Sequence, residues 1–265
     1  MEPLSDVLGA FRQDASFMRC VTAWQRVPAR QARTTRWPKE LDPRLVATIR
    51  AQGIEEPYVQ RLGIDGIVHV HQAQTVESVL AGKHVVLSTS TASGKTLAYN
   101  APVLDSLLND PEACALYMFP TKALAHDQIA NLTSLVSDLE ARTSKLKAPI
   151  AVRPYDGDTP SAQRSTIRNE ARLLVTNPDM LHVGILPHHT RWMRFFSNLR
   201  FVVLDEIHTY RGVFGGHVAN VLRRMQRICR FYGAADRFIC ASATIANPRE
   251  LTERLVEAPV SLVDD

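Results

Sequence analysis

An α/β domain with a mainly parallel sheet flanked by helices is the fold this sequence predicts, and three observations predict it. From about residue 64 the chain alternates strand-like and helix-like stretches, the pattern of a parallel sheet crossed by helices. A loop of small residues, Thr89-Ser90-Thr91-Ala92-Ser93-Gly94-Lys95-Thr96, joins an apolar strand to a helix. An apolar run from Phe201 to Leu204 ends in two adjacent carboxylates, Asp205 and Glu206.

Residues 1–63 differ in character from residues 64–265 and read as a basic, mainly helical N-terminal extension. Helical patterns run roughly from Leu4 to Trp24 and from Leu41 to Gln52, on either side of an Arg- and Pro-bearing connector from Val27 to Lys39. Residues 1–50 hold nine basic and five acidic side chains, which leaves the remainder formally neutral at 22 against 22. A basic arm on a neutral body suits a polyanion such as nucleic acid; a solvated terminus is the plainer reading.

Short apolar runs then give the strands in order: His84 to Ser88, Ala115 to Phe119, Ile150 to Tyr155, Arg172 to Thr176, Phe201 to Leu204 and Phe238 to Ala241, each followed by a crossover helix. Ala125, Ile129, Leu132, Val136 and Leu139 recur at helical period and form one apolar stripe, which reads as core. Val218, Val221, Leu222, Met225 and Cys229 do the same on a helix whose other side shows Arg223, Arg224, Arg227 and Arg230. Those arginines read first as a solvated face and second as a nucleic-acid contact. After the last of these strands come a helix-like Pro248 to Glu257 and a strand-like Val260 to Val263.

At 265 residues with 45% apolar content, the chain is long enough to bury a substantial core. Its longest apolar runs are far below membrane-spanning length, so a cytoplasmic protein with no membrane partner is expected. Cys20, Cys114, Cys229 and Cys240 show no C-x-x-C spacing and read as buried free thiols. His188 and His189 are adjacent, so they point apart on any regular element and do not suggest a metal site.

The loop and the strand end carry the chemistry. A strand, a loop ending in Gly94-Lys95-Thr96 and a helix are the context of a P-loop, although Thr89 stands where the general pattern has its first glycine. The residues Thr91, Ala92, Ser93, Gly94, Lys95 and Thr96 would surround the phosphates of a nucleotide with backbone N–H groups, as a helix N-terminus favours. Lys95 would reach the β- and γ-phosphates, and the Thr96 hydroxyl would ligate Mg2+. Ligands of open α/β sheets bind at the carboxyl ends of the strands. There Asp205 has the chemistry to hold Mg2+ and Glu206 to polarise an attacking water.

With these residues in place, the sequence from about 64 to 247 resembles the superfamily 2 helicases of DEAD/DEAH type. His71-Gln72 looks like the Q-motif, whose glutamine reads the adenine edge. Thr91 to Thr96 looks like motif I. Pro120-Thr121-Lys122-Ala123-Leu124-Ala125, with Asp127-Gln128, resembles the motif that grips a nucleic-acid backbone, and Thr176-Asn177-Pro178-Asp179 resembles the later strand-contacting motif. Asp205-Glu206-Ile207-His208 looks like motif II, and Ser242-Ala243-Thr244 like motif III, which couples hydrolysis to strand movement.

That resemblance implies an N-terminal RecA-like lobe over residues 64–265, with ATP and Mg2+ as cofactors and nucleic acid as partner. It also implies a coupling role for His208, with the Ser242 and Thr244 hydroxyls as its prospective partners. The T-A-S-G-K-T loop, the D-E-I-H box and the stretch from His208 to Val218 are similar to the SftH and MrfA type of 3′ to 5′ DNA helicases, relatives of the fungal Hrq helicases associated with DNA repair. Val68-His69 stand where such relatives have leucine and tyrosine, so different packing on the adenine side is expected. In superfamily 2 the nucleotide lies between two RecA-like lobes, and about twenty residues follow motif III in this sequence, so a second lobe is expected from elsewhere, in cis or in trans. The alternatives are an RNA helicase lobe of the DEAD or DEAH kind, or a non-catalytic nucleotide-binding module.

Overall fold

The computed structural model describes residues 4–25, 32–52, 67–143 and 146–264. The chain forms two compact units, Met1–Ala32 and Arg33–Asp265. In the first, α1 (Leu4–Gln13) stops at Asp14, whose carboxylate accepts from the N–H groups of Ser16 and Phe17 and caps α2 (Ala15–Arg19). The single helical pattern expected over this stretch is therefore two helices, because a capping carboxylate competes with the continuing ladder. Cys20 lies at the end of α2 and is exposed, whereas Cys114, Cys229 and Cys240 are buried free thiols.

In the second unit, β1 (Thr34–Arg36) pairs antiparallel with β2 (Ile67–His69). Both strands are three residues long, too short for an alternating pattern to show in the sequence. Between them α3 (Pro43–Ala51) begins at Asp42, whose side chain accepts from the Arg44 N–H, with proline in the first turn. This helix fully buries Leu45 and Ile49, and Trp37 and Leu41 join them in the core beneath the sheet. Burial of each such side chain is worth about 1.5–3 kcal/mol, which binds residues 33–52 to the main body. The compact boundary thus falls after Ala32, whereas the change of character read near residue 64 lies outside the described residues.

From there the chain alternates as expected: α4 (Val70–Leu80), β3 (His84–Ser88), α5 (Lys95–Asn109), β4 (Cys114–Met118), α6 (Lys122–Arg142), β5 (Val152–Pro154), α7 (Ser161–Glu170) and β6 (Leu173–Thr176). Next come α8 (Pro178–Met180), a π-helical turn (Leu181–Ile185), a 3-10 segment (Leu186–Trp192) and α9 (Met193–Ser197). The last elements are β7 (Leu199–Leu204), a 3-10 turn (Ile207–Thr209), α10 (Gly212–Phe231), β8 (Arg237–Ser242), α11 (Pro248–Val256) and β9 (Val260–Asp264).

Seven strands form one sheet in the order β5-β6-β4-β7-β8-β3-β9, with every pairing parallel. Register aligns Thr176 with Met118, Met118 with Leu204, and Ser88 with Ser242, so the carboxyl ends of the central strands share one edge. Helices cover both faces. One core gathers α3, α4, α5 and α6, where Leu132, Val136 and Leu139 are buried and Ala125 and Ile129 pack at its margin. The other gathers α8 to α11, including Val218, Leu222, Met225 and Cys229.

Candidate functional site

The loop between β3 and α5 turns on two residues with left-handed backbone, Ala92 (φ 60°) and Gly94 (φ 80°). Gly94 is required twice over, since a Cβ there would also lie 2.5 Å from Nε2 of Gln72. Loop residues Ser90, Thr91, Ala92 and Gly94 are exposed, which leaves the loop open at the sheet edge. Inside it the Thr89 and Ser93 hydroxyls are 2.6 Å apart. Lys95 turns back over the loop, and its Nζ donates to the carbonyls of Ser90 at 2.7 Å and Thr89 at 3.1 Å.

The segment ahead of α4 fastens this loop from below. Gln72 is buried and both ends of its amide are engaged: Oε1 accepts from the His69 N–H at 3.0 Å, and Nε2 donates to the Gly94 carbonyl at 3.0 Å. His71 Nε2 lies 2.9 Å from the Ser93 carbonyl. The His69 and His71 rings stack with centroids 5.3 Å apart and planes 10° apart. Gln72, which the resemblance assigns to an adenine edge, is joined directly to the loop that carries Gly94.

At the end of β7, Asp205 is 8% exposed. Its Oδ1 accepts from the Glu206 N–H at 2.8 Å and its Oδ2 from the Tyr99 hydroxyl at 3.0 Å. Burial pushes the Asp205 carboxyl above its usual range, and these hydrogen bonds oppose the shift. Tyr99 lies one turn into α5, and its hydroxyl is also 3.4 Å from Oγ1 of Thr96. Thr96 and Asp205 thus meet around one phenol. Sequence reasoning passes over Tyr99, since an apolar-faced tyrosine on a helix reads as core.

Glu206 takes a left-handed backbone (φ 52°) as the chain leaves the strand. Its Oε2 lies 3.1 Å from His208 Nδ1. The expected partnership of His208 with Ser242 and Thr244 is not what the structure shows: the Ser242 Oγ is buried without a hydrogen-bond partner among the described residues, and Thr244 is exposed. Ala243 instead meets the phosphate-loop strand, since its carbonyl is 3.4 Å from the Ser88 hydroxyl.

One strand over, Thr121 follows Pro120 and caps α6 by accepting from the Leu124 N–H. The Lys122 ammonium is exposed and paired with Asp158, which raises the lysine's pKa and lowers that of the carboxylate. Thr121, Lys122, Thr176 and Asn177 line one shallow depression with Asp156 and His126. The Thr176 hydroxyl is not free within it, because it is buried and donates to the Tyr155 carbonyl at 2.7 Å. Asn177 caps α8 through the Met180 N–H, and Pro178 is buried.

Chemically, this edge offers a loop of exposed backbone donors with an amine at its throat, and hard oxygen donors from Thr96 and Asp205. A carboxylate stands beside an imidazole, and the depression that holds Lys122 lies next to them at the ends of β4 and β6. Among the described residues no cluster of three or more His, Cys, Asp or Glu side chains could cage a metal. A cation held here would take one carboxylate, one hydroxyl and outside ligands, which is the habit of Mg2+ beside phosphates. Among the described residues no helix is long and apolar enough to cross a membrane.

Comparison with known proteins bears on the same residues. A family model described as DEAD/DEAH box helicase matches residues 69–251. A Bacillus subtilis protein described as the ATP-dependent helicase YprA is 47% identical over 245 residues, 92% of this chain and 30% of that protein. The ATP-dependent helicase hrq1 of Schizosaccharomyces pombe is 46% identical over 186 residues, 70% of this chain and 17% of its own length. Among solved structures, the DUF1998 helicase MrfA bound to DNA and AMPPNP superposes with a TM-score of 0.87 at 44% identity, covering 100% of this chain and 34% of that one. The chain therefore spans about a third or less of the length of these relatives.

Proposed function

This chain belongs to the DEAD/DEAH box helicase family, and we propose that it is the RecA-like, ATP-binding lobe of an ATP-dependent 3′ to 5′ DNA helicase or translocase that serves DNA repair. The observation that carries the proposal is the Tyr99 hydroxyl, which holds Thr96 of the phosphate loop and Asp205 of the acidic strand end at one point. Two segments 110 residues apart in sequence, Lys95 and Asp205, thereby form one site. Likeness to MrfA in complex with DNA and AMPPNP favours DNA and ATP as ligands. Polarity and repair rest on likeness to the MrfA and Hrq helicases.

In this reading the N–H groups from Thr91 to Thr96 bind the phosphates, and Lys95 exchanges its two loop carbonyls for phosphate oxygens. Thr96 and Asp205 would hold Mg2+, which neutralises charge on the phosphates when bound. Glu206 orients the attacking water and accepts its proton, with the His208 imidazole 3.1 Å from its carboxylate. The clamp of His71 and Gln72 on Ser93 and Gly94 keeps the loop shaped for the nucleotide. Thr121, Lys122 and Asn177 face the DNA backbone, with Pro120 leading into the helix and Thr176 and Pro178 supporting them from inside. Such contacts track a strand without reading its sequence. Ser242, Ala243 and Thr244, at the end of the strand between β7 and β3, relay the state of the site. A second RecA-like lobe, in cis or in trans, would supply the remaining transition-state charge, worth about 10³ to 10⁵ in rate where an arginine finger is known.

The test is ATP binding and turnover by this chain, with and without single-stranded DNA, beside Lys95→Ala. ATP binding that Lys95→Ala abolishes, with turnover appearing only when a second lobe is supplied, is the expected result. Absence of nucleotide binding by the unaltered chain would sink the proposal. DNA-stimulated turnover by this chain alone would overturn the need for a second lobe.

A further inference from the structure

Beyond the site at the sheet edge, a groove of about 570 Å³ runs between the π-helical turn and α10. His182 lines one wall, and His217, Arg224 and Arg227 line the other, with Asp179 as the carboxylate among them. The three α10 residues lie on a single face, since spacings of seven and three bring side chains onto one side of a helix. His217 and Arg227 are ten residues apart, about 15 Å along the axis. Neither Arg224 nor Arg227 makes an ion pair among the described residues, whereas their neighbour Arg223 is held by Glu257 at 2.6 Å. These side chains are therefore not explained by pairing within the fold. The π-turn itself is a rare geometry that concentrates at functional sites.

The groove's position says what it fits. Asn177 lines the depression that holds Thr121 and Lys122, and the next residue, Pro178, lines this groove. A strand lying on the first depression is delivered to the mouth of the second. Phe214, 43% exposed, also lines the groove and offers a ring for a base to stack on, which a free phosphate or an acidic peptide would not use.

We propose that the groove between the π-turn and α10 is a second phosphate-backbone track, where DNA leaving the motor's strand-contacting residues is held by Arg224 and Arg227 with His182 and His217. The inference rests on the DNA-translocase reading above and extends it to a surface that reading does not use. About 15 Å of helix can face several successive phosphates, given about 3.4 Å of axial rise per nucleotide on one strand.

The experiment measures the affinity of this chain for a single-stranded 20-mer DNA across a salt series. Unaltered chain, Lys122→Ala, the double variant Arg224→Gln/Arg227→Gln, and Arg224→Lys/Arg227→Lys are compared, with equal thermal midpoints as evidence of folding. The double glutamine variant is expected to flatten the slope of log K against log salt by about 1.4, at about 0.7 for each phosphate that is no longer neutralised, and the lysine pair to restore most of it. A slope unchanged in the glutamine variant, while Lys122→Ala weakens binding, overturns the second track and leaves the DNA reading intact. If the unaltered chain binds no DNA at any salt, both fall together. Polyglutamate bound as tightly as DNA, with the DNA slope unmoved, would assign the groove to an acidic peptide and likewise overturn the inference.

Discussion

The Tyr99 hydroxyl donates a 3.0 Å hydrogen bond to Oδ2 of Asp205, tying the helix that follows the phosphate loop to the carboxyl end of β7. Tyr99 is 1% exposed, and its own ionisation is pushed well above the usual phenol range by burial and by the Asp205 charge, so it remains a donor. Tyr99→Phe leaves a buried carboxylate oxygen short of a partner. The expected loss is about 1–3 kcal/mol of stability, read from the urea midpoint, together with weaker nucleotide binding. An unchanged midpoint would show that Asp205 does not depend on this bond.

Asp205 is a buried charge retained at the expense of the free fold. Asp205→Asn keeps one oxygen, for Tyr99, gives up the acceptor of the Glu206 N–H, and removes the buried charge, whose desolvation outweighs that one bond. We expect the nucleotide-free chain to melt at an equal or higher temperature, and the stabilisation that the proposed binding of Mg2+ with ATP gives the unaltered chain to disappear. A large drop in the melting temperature without nucleotide would contradict this.

Gln72 bridges two backbone segments with one amide, so the acceptor and the donor can be tested separately. Gln72→Glu keeps the acceptor for the His69 N–H but sets a carboxylate against the Gly94 carbonyl. It should loosen residues 89–94 at least as much as Gln72→Ala does, seen as faster amide exchange in the loop. Equal protection in both variants and the unaltered chain would leave the clamp without a role.

On the DNA reading proposed above, Lys122 would meet a phosphate only after releasing Asp158. Removing that carboxylate in Asp158→Ala should tighten DNA binding modestly at low salt, and the gain should fade as salt screens the exposed pair. A gain that persists in high salt would point to a rearranged loop instead.

His84 Nδ1 accepts a 3.0 Å hydrogen bond from the Phe238 N–H between β3 and β8, which requires a neutral ring. Burial lowers its pKa below the ordinary 6.5, Asp236 opposes the shift and Arg237 adds to it. Because the unfolded chain takes up the proton first, this group's contribution is complete above pH 6.5 and is lost as pH falls through the lowered folded value. Thermal midpoints between about pH 7.5 and 5 should decline more steeply for the unaltered chain than for His84→Asn, which offers an acceptor that does not titrate.

Much of this molecule is legible in the order of its residues. The crossover alternation, the small-residue loop closing on Lys95, the carboxylates ending an apolar strand and the stripe of Leu132, Val136 and Leu139 all depend on periodicity or capping within a few residues. The helix broken at Asp14 and the three-residue strands β1 and β2 escape such reading, because a cap or a very short pairing leaves almost no pattern. Which strand ends become neighbours is settled by packing of crossovers across the whole sheet. The sequence by itself therefore determined the fold class, the phosphate loop and the acidic pair. Tertiary structure decided that Tyr99 meets Asp205 from 106 positions away, that Gln72 closes on Gly94, and that residues 33–52 join the lobe. Each of these joins segments distant in the chain, and only burial and strand order bring such segments together.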